Sequence, residues 1–135
     1  MSTQGEHQFE EEVLVSGENL DSYNAGEDLT IREPVGYSGD FEVSASAAGE
    51  GDFVGVVLYD VSSGEEVGVA KRDCEVRIEV SETVTAGDEL LPDGSGAFET
   101  VATSTGSSGV AIATEGGSAN DVIVAEIVTA QGVTA

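Results

Sequence analysis

Few side chains in this sequence are of the types that carry out catalysis. His7 is the single histidine and lies in a polar lead-in, so a Ser-His-Asp triad, a Cys-His pair and a histidine metal site all lack their base or their ligands. Cys74 is the single cysteine, with Lys71 and Arg72 close by in the sequence. Those cations would lower the pKa of the thiol, yet an isolated cysteine is more often a small core residue. We therefore expect no catalytic residue and no cofactor.

Carboxylates are the one abundant reactive group, since the chain contains 27 Asp and Glu residues. Pairs of carboxylates hydrolyse glycosidic bonds, but the sequence has no Trp and no long inserted loop that would form a cleft for sugar rings. Asp88, Asp93 and Ser95 have a loose likeness to calcium ligands, although their spacing does not fit the twelve-residue calcium loop. Most of these groups are expected to be solvated surface, and we predict no metal site.

The charge balance is strongly acidic. Four Lys and Arg oppose the carboxylates, which gives a formal net charge of −23. Self-repulsion of this size destabilises a compact state in dilute buffer, whereas in molar salt the Debye length falls to about 3 Å and the repulsion is screened. The sequence therefore predicts a halophilic environment. Binding to nucleic acid is disfavoured because there is no basic patch, and a disordered acidic tail is disfavoured by the 39% hydrophobic content.

Targeting signals are not evident. Residues 1–12 lack the basic start and apolar run of a secretory signal, and no run of 18 apolar residues predicts a membrane span. A single cysteine excludes an internal disulfide. We expect a protein that is made and folded in a reducing, high-salt cytoplasm.

The elements that must position any functional residue are predicted to be strands. Nineteen valines and 18 glycines favour short strands joined by tight turns. Residues 75–81 alternate cleanly, with Val76 and Ile78 facing inward, and residues 53–59 are apolar on both faces, as in a central strand. In residues 41–47 the alternation places Phe41 on the same inward face as Val43, Ala45 and Ala47. Short strands at this spacing predict an all-β small barrel or sandwich.

Motifs of the first half recur in order in the second half. A-G-E-D-L at 25–29 matches A-G-D-E-L at 86–90, and V-R-I-E-V at 76–80 matches I-V-A-E-I at 123–127. Phe-Glu and Gly-Val pairs recur between them. Conserved order among four matches favours a duplicated β unit over chance recurrence.

This duplication divides the chain into three parts. Residues 23–130 are predicted to form the duplicated barrel domain, with sequence-related units at about 24–81 and 85–128. Residues 131–135 are a tail. Residues 1–22 precede the repeat and are expected to be an N-terminal extended arm, or alternatively an ordinary edge strand.

The second half also resembles a known family. V-T-A-G-D-E-L at 84–90, P-D-G-S-G at 92–96, the Gly-Val-Ala-Ile-Ala strand at 109–113 and the closing strand at 121–128 resemble the capsid cement, or decoration, proteins of tailed viruses. The similarity covers roughly residues 24–128.

The resemblance implies a small β-barrel that binds the outside of a major-capsid-protein lattice, often as a homotrimer, and stabilises it without catalysis. The acidic composition would then indicate a virus with a halophilic host. On this hypothesis the protein is a virion protein of the outer capsid surface, whose partner is the major capsid protein. The alternative is a β-barrel interaction module of a virion spike base or of a halophilic cell-surface complex.

Contact residues are predicted from the arm and from the rare cations. An extended arm can add a strand to a neighbouring sheet, and the four cations can meet acidic partner surfaces, although pairing within the chain is the simpler explanation. The candidate capsid or subunit contacts are Phe9, Val13, Val15, Arg32, Lys71, Arg72 and Arg77.

Overall fold

The computed structural model describes residues 20–47, 53–103 and 109–128, together with the backbone of residues 13–15. These residues form strands and no helix, so the all-β prediction is confirmed. In chain order the strands are β1 (Val13–Val15), β2 (Leu20–Ala25), β3 (Pro34–Gly39), β4 (Glu42–Ala45), β5 (Phe53–Val57), β6 (Glu66–Ala70), β7 (Glu75–Glu79), β8 (Glu89–Pro92), β9 (Phe98–Thr100), β10 (Ala111–Ala113) and β11 (Val122–Ile127).

Strands β2 to β6 form a closed barrel in the order β2-β4-β3-β5-β6. The pairs are antiparallel except for β2 and β4, which run parallel and meet at Asn24–Glu42 and Ala25–Val43. Val43 is fully buried in the interior. The cluster that fills this first barrel comprises Tyr23, Ala25, Leu29, Val35, Val43, Val57, Val61, Val67 and Val69.

Strands β7 to β11 repeat the same arrangement. Their order is β7-β11-β10-β8-β9. Followed from β7 in the opposite direction around the barrel, the order is β7-β9-β8-β10-β11. This is the order of the first barrel when β7 is matched to β2, β8 to β3, β9 to β4, β10 to β5 and β11 to β6. A parallel bridge between Val80 and Phe98 joins β7 to β9, as Ala25–Val43 joins β2 to β4. These strands form a sheet that this single-residue bridge closes, and we call them the second barrel. Strand β1 is added outside it, on β7.

One turn recurs four times and fixes the start of a strand each time. In each turn the carboxylate of the fourth residue accepts the N–H of the first, at 2.8–3.0 Å, and the carbonyl of the first accepts the N–H of the fourth. The third residue has a positive φ of 73–95°, as in a type II turn. Strands β3, β6, β8 and β11 follow directly. The turns span residues 30–33, 62–65, 85–88 and 118–121.

The structural repeat has a different register from the one that motif matching predicted. Residues 25–29 lie before a turn, whereas residues 86–90 begin inside one. The two segments are therefore similar in sequence but not structurally equivalent. Strand β7, which the match assigned to the first unit, pairs with β11 and opens the second barrel. The sequence motifs were matched by their glycines and carboxylates. The position of a turn depends instead on which residue has a positive φ and which carboxylate accepts the first backbone N–H of the turn. The repeat therefore runs over residues 20–70 and 75–128.

Individual strand predictions had mixed outcomes. The alternation of β7 and the fully buried β5 are confirmed. The inward orientation of Phe41 is wrong, because Phe41 lies in the β3–β4 turn with 77% of its surface exposed. The pairing of β3 with β4 shifts register between Tyr37 and Gly39, and this shift ends the alternation before Phe41. Leu20, placed by sequence in the arm, pairs with Ala70 as part of β2.

The two barrels share a hydrophobic core. One cluster of buried residues contains Phe53 and Leu58 of the first barrel together with Ile78 and Phe98 of the second. The rings of Phe53 and Phe98 meet edge to face, with centroids 6.0 Å apart. Aromatic pairs prefer this arrangement. The shared core holds the barrels against each other.

Candidate functional site

A groove of about 480 Å³ lies between the start of β2 and the β3–β4 hairpin. Strand β2 supplies its floor, the hairpin supplies one wall, and the residue that follows β6 closes it. Three of its side chains are aromatic, in a chain with 5% aromatic residues. We call this the aromatic groove; it is lined by Asp21, Tyr23, Tyr37, Gly39, Asp40, Phe41 and Lys71.

The floor of the aromatic groove is a network of two tyrosines and a lysine. The Tyr23 and Tyr37 rings pack edge to face, with centroids 5.7 Å apart and hydroxyl oxygens 3.3 Å apart. Lys71 Nζ donates to Tyr23 Oη at 3.0 Å and lies 3.6 Å from Asp21 Oδ2. Tyr23 is buried, whereas Tyr37 is 48% exposed. The network places the half-exposed Tyr37 ring against the buried Tyr23 ring.

The protonation states in the network are set by burial and by one hydrogen bond. Burial raises the pKa of the Tyr23 phenol, although the hydrogen bond from Lys71 acts in the opposite direction. The same hydrogen bond raises the pKa of the Lys71 ammonium, against the effect of its partial burial. Lys71 is therefore protonated at neutral pH. It acts as a hydrogen-bond donor rather than as a nucleophilic amine.

Phe41 is held in an unfavourable state on the wall of the groove. Its ring is 77% exposed, and its φ of 54° lies in the left-handed region, which costs an L-residue about 1–2 kcal/mol. The equivalent position of the second barrel is Gly96, with φ 99°. The first barrel thus carries a bulky aromatic residue where its repeat has glycine. Strain of this kind, with an apolar ring in solvent, is typical of a contact site.

The predicted cations lie at three places along the chain, since Lys71 and Arg72 are adjacent residues that follow β6. Lys71 lies in the aromatic groove, whereas Arg32 occupies the left-handed position of the first recurrent turn. Arg72 lies 4.0 Å from Asp73, and Arg77 is in β7, beside β11. Their role as contacts stays a prediction.

The predicted arm residues are placed only in part. Val13 and Val15 belong to β1 and pair with Val76 and Glu75 of β7. Phe9 lies outside the described residues. The edge-strand alternative for this segment agrees with the pairing of β1, within the same chain.

Three of the residues considered for chemistry from the sequence contribute to the core or to turns. Cys74 is fully buried in the shared core, and His7 lies outside the described residues. Asp88 accepts the N–H of Thr85, and Asp93 accepts that of Ser95, so each carboxylate closes its own turn. In the described part of the chain, no group of three or more His, Cys, Asp or Glu residues is arranged to hold a metal ion.

Sequence reasoning missed the aromatic groove. A signal was present, because two of the seven Phe and Tyr residues, Tyr37 and Phe41, flank the Gly39-Asp40 hairpin tip. The alternation of residues 41–47 concealed it by assigning Phe41 to the core.

Comparison with solved structures identifies a similar fold. The N base of the head fiber protein gp8.5 of bacteriophage phi29 matches with a TM-score of 0.64 and 18% sequence identity, over 85% of this chain and 98% of that chain. At this identity the likeness shows a common fold. No family model matches the sequence, and no curated protein matches it. Over the described ranges, the protein has no helix of the length and hydropathy needed to cross a membrane.

Proposed function

We propose that this chain is a non-catalytic structural protein of a virion that binds the outside of the capsid. The observation that carries the proposal is the fold, which covers 98% of a bacteriophage head fiber base. The resemblance of residues 84–96 and 109–128 to decoration proteins, found independently in the sequence, points to the same class of protein.

Two positions on the capsid fit this proposal. A decoration protein would bind throughout the lattice and stabilise it, as the sequence resemblance suggests. A fiber or spike base would occupy fewer positions, as the similar bacteriophage structure suggests. In both cases the partner that we propose is the major capsid protein. A homotrimer is the assembly that the resemblance to decoration proteins favours.

The aromatic groove supplies a surface suited to such a contact. Tyr37 and Phe41 present apolar area to solvent, and burial of apolar area contributes about 25 cal/mol per Å². Apolar contacts keep their strength in concentrated salt, where interactions between surface charges are screened. A chain of net charge −23 in a halophilic virus would therefore depend on this kind of contact.

The test is the protein composition of virus particles purified in molar salt. Quantitative mass spectrometry would compare the copy number of this chain with that of the major capsid protein. Near-stoichiometric copies would identify a decoration protein, and a small fixed number would identify a fiber or spike base. Absence from the particles would overturn the virion proposal.

A further inference from the structure

Strands β2 and β7 occupy equivalent positions in the two barrels. Each forms an antiparallel ladder of five residue pairs, β2 with β6 and β7 with β11, in the same register. Leu20 pairs with Ala70 at the point where Glu75 pairs with Glu126. The opposite edges of β2 and β7 can therefore be compared residue by residue.

The two edges differ in what covers them. Strand β1 pairs antiparallel with β7 through Glu75 and Val76. The equivalent residues of β2 are Leu20 and Asp21. Among the described residues, no strand pairs with this side of β2 before Asn24, where β4 begins to pair. The second barrel thus holds an added strand at an edge to which the described part of the first barrel adds none.

The backbone of β2 shows how a further strand could pair at this edge, which we call the open edge because no strand among the described residues covers it. Asn24 donates its N–H to the carbonyl of Phe41 on the hairpin side, at 2.8 Å. Because the directions of backbone groups alternate along a strand, Ser22 points its N–H to the same side. There it bonds to Oδ1 of the preceding Asp21, at 2.9 Å. A carbonyl of an incoming strand can replace this local bond without disturbing the ladder with β6.

We propose that the edge of β2 at residues 20–22, with the aromatic groove beside it, accepts an extended segment of a different protein as an added strand. Its backbone pairs with Leu20 and Ser22. Its side chains contact the exposed rings of Tyr37 and Phe41. This contact would account for the unfavourable exposure and backbone conformation of Phe41. The inference goes beyond the proposed virion role and does not depend on it.

The charges around the edge define the chemistry of the partner. Asp21 and Asp40 line the groove, and Lys71, 3.6 Å from Asp21 Oδ2, offsets one of these two carboxylates, so the lining keeps a net negative charge. The arm of a second copy would bring three consecutive carboxylates, residues 10–12, next to these groups. Like charges in direct contact are unfavourable even in molar salt, because the Debye length of about 3 Å does not screen groups that touch. The segment that fits carries alternating apolar side chains flanked by Lys or Arg.

The test uses two synthetic peptides and the full chain. One peptide has the sequence of residues 9–19, and the other has Lys in place of its four Glu residues. Binding is followed by NMR at the lowest salt concentration at which the full chain stays folded. We expect the basic peptide to bind at least tenfold more tightly than the acidic one, and to slow amide exchange at Leu20 and Ser22.

Two variants locate the site. Ser22→Pro removes the N–H at the edge, and proline is tolerated on edge strands. Phe41→Asn removes the ring, and asparagine tolerates the left-handed conformation. Each should weaken binding of the basic peptide at least tenfold. Val122→Asn, at another exposed apolar residue (44% exposed), is the matched control and should leave binding within twofold.

Three results would overturn the proposal. Absence of binding at millimolar peptide would remove the strand-addition site. Unchanged binding by both Ser22→Pro and Phe41→Asn, or amide protection confined to β7, would place the peptide elsewhere. Equal or tighter binding of the acidic peptide would make a second copy of this chain the occupant and would refute the choice of partner.

Discussion

Left-handed residues mark the points at which this chain changes direction. Gly64, Gly87 and Asn120 occupy the third position of recurrent turns, with φ between 73° and 95°. Glycine adopts this conformation without a steric penalty, and asparagine tolerates it. Arg32 is the exception among the four turns. These positions depend on backbone conformation rather than on packing.

Substitution of Gly87 tests whether backbone conformation, rather than packing, determines the residue at this turn position. A Cβ at Gly87 would meet no atom within 4 Å, so Gly87→Ala introduces no clash. We nevertheless expect the free energy of unfolding to fall by about 1–2 kcal/mol, from the left-handed conformation alone. Denaturant titration would measure it, with Asn120→Gly as the control that should be neutral or slightly stabilising. A neutral Gly87→Ala would contradict the role assigned to the turn.

Glu82 gives the fold a dependence on acid pH. Its carboxylate accepts the N–H of Thr100 at 2.7 Å and the hydroxyls of Thr100 and Thr103. The Thr100 N–H first, and then the two hydroxyls, lower the pKa of Glu82 below its ordinary value of 4.5. Its stabilisation is therefore present above about pH 4.5 and is lost as pH falls through the lower, folded-state pKa.

The Glu82→Gln variant isolates this contribution. Thermal unfolding of both proteins from pH 7 to pH 3 should show a stability difference that is constant above about pH 5 and shrinks as pH falls. Thr103→Val, which removes one donor, should shift the same transition by a smaller amount. A difference independent of pH would mean that Glu82 acts through packing.

At the level of elements, alternation predicted the regular strands and failed at the turns. Strand β7 was predictable because Val76 and Ile78 alternate with polar residues over its whole length. Phe41 was not predictable from alternation, because it follows a register shift between β3 and β4. The aromatic groove depends on that irregular hairpin. The parts of the fold that pair regularly were therefore readable from the sequence, and the candidate site was not.

The placement of Leu20 in β2 changes the expected effect of removing the arm. Deletion of residues 1–15 removes β1 and should leave both barrels folded, with faster amide exchange at Glu75. Deletion of residues 1–22 also removes three of the five β2 residues that pair with β6. At about 1 kcal/mol per lost backbone hydrogen bond, it should cost about 2 kcal/mol more. Equal stability of the two truncated proteins, measured by denaturant titration, would contradict this assignment.

Across the whole molecule, four Lys and Arg can offset little of the repulsion among 27 Asp and Glu residues. In the part of the chain that the structure describes, the ion pairs that lie within 4.0 Å are Lys71–Asp21 and Arg72–Asp73. Both involve exposed or half-exposed groups, so each contributes little. The net charge of −23 is left to the solvent to screen.

Salt should therefore stabilise the folded chain. We expect Tm to rise steeply between about 0.05 and 0.5 M NaCl, where the Debye length contracts from roughly 14 to 4 Å, and more slowly above. Calorimetry at pH 7 measures this effect. The same series at pH 4, where part of the carboxylate charge is neutralised, is the control and should show a smaller rise. A Tm independent of salt at pH 7 would contradict the halophilic hypothesis.

The covered edge of β7 also limits how the molecule can assemble. A chain that carried an uncommitted donor strand as well as an acceptor edge would link head to tail into open filaments. Here β1 is engaged on its own β7, and the described residues leave the edge of β2 as the acceptor. At the edge of β2, each chain then accepts one incoming segment. Its density on any surface is set by the spacing of the partner and not by its own polymerisation.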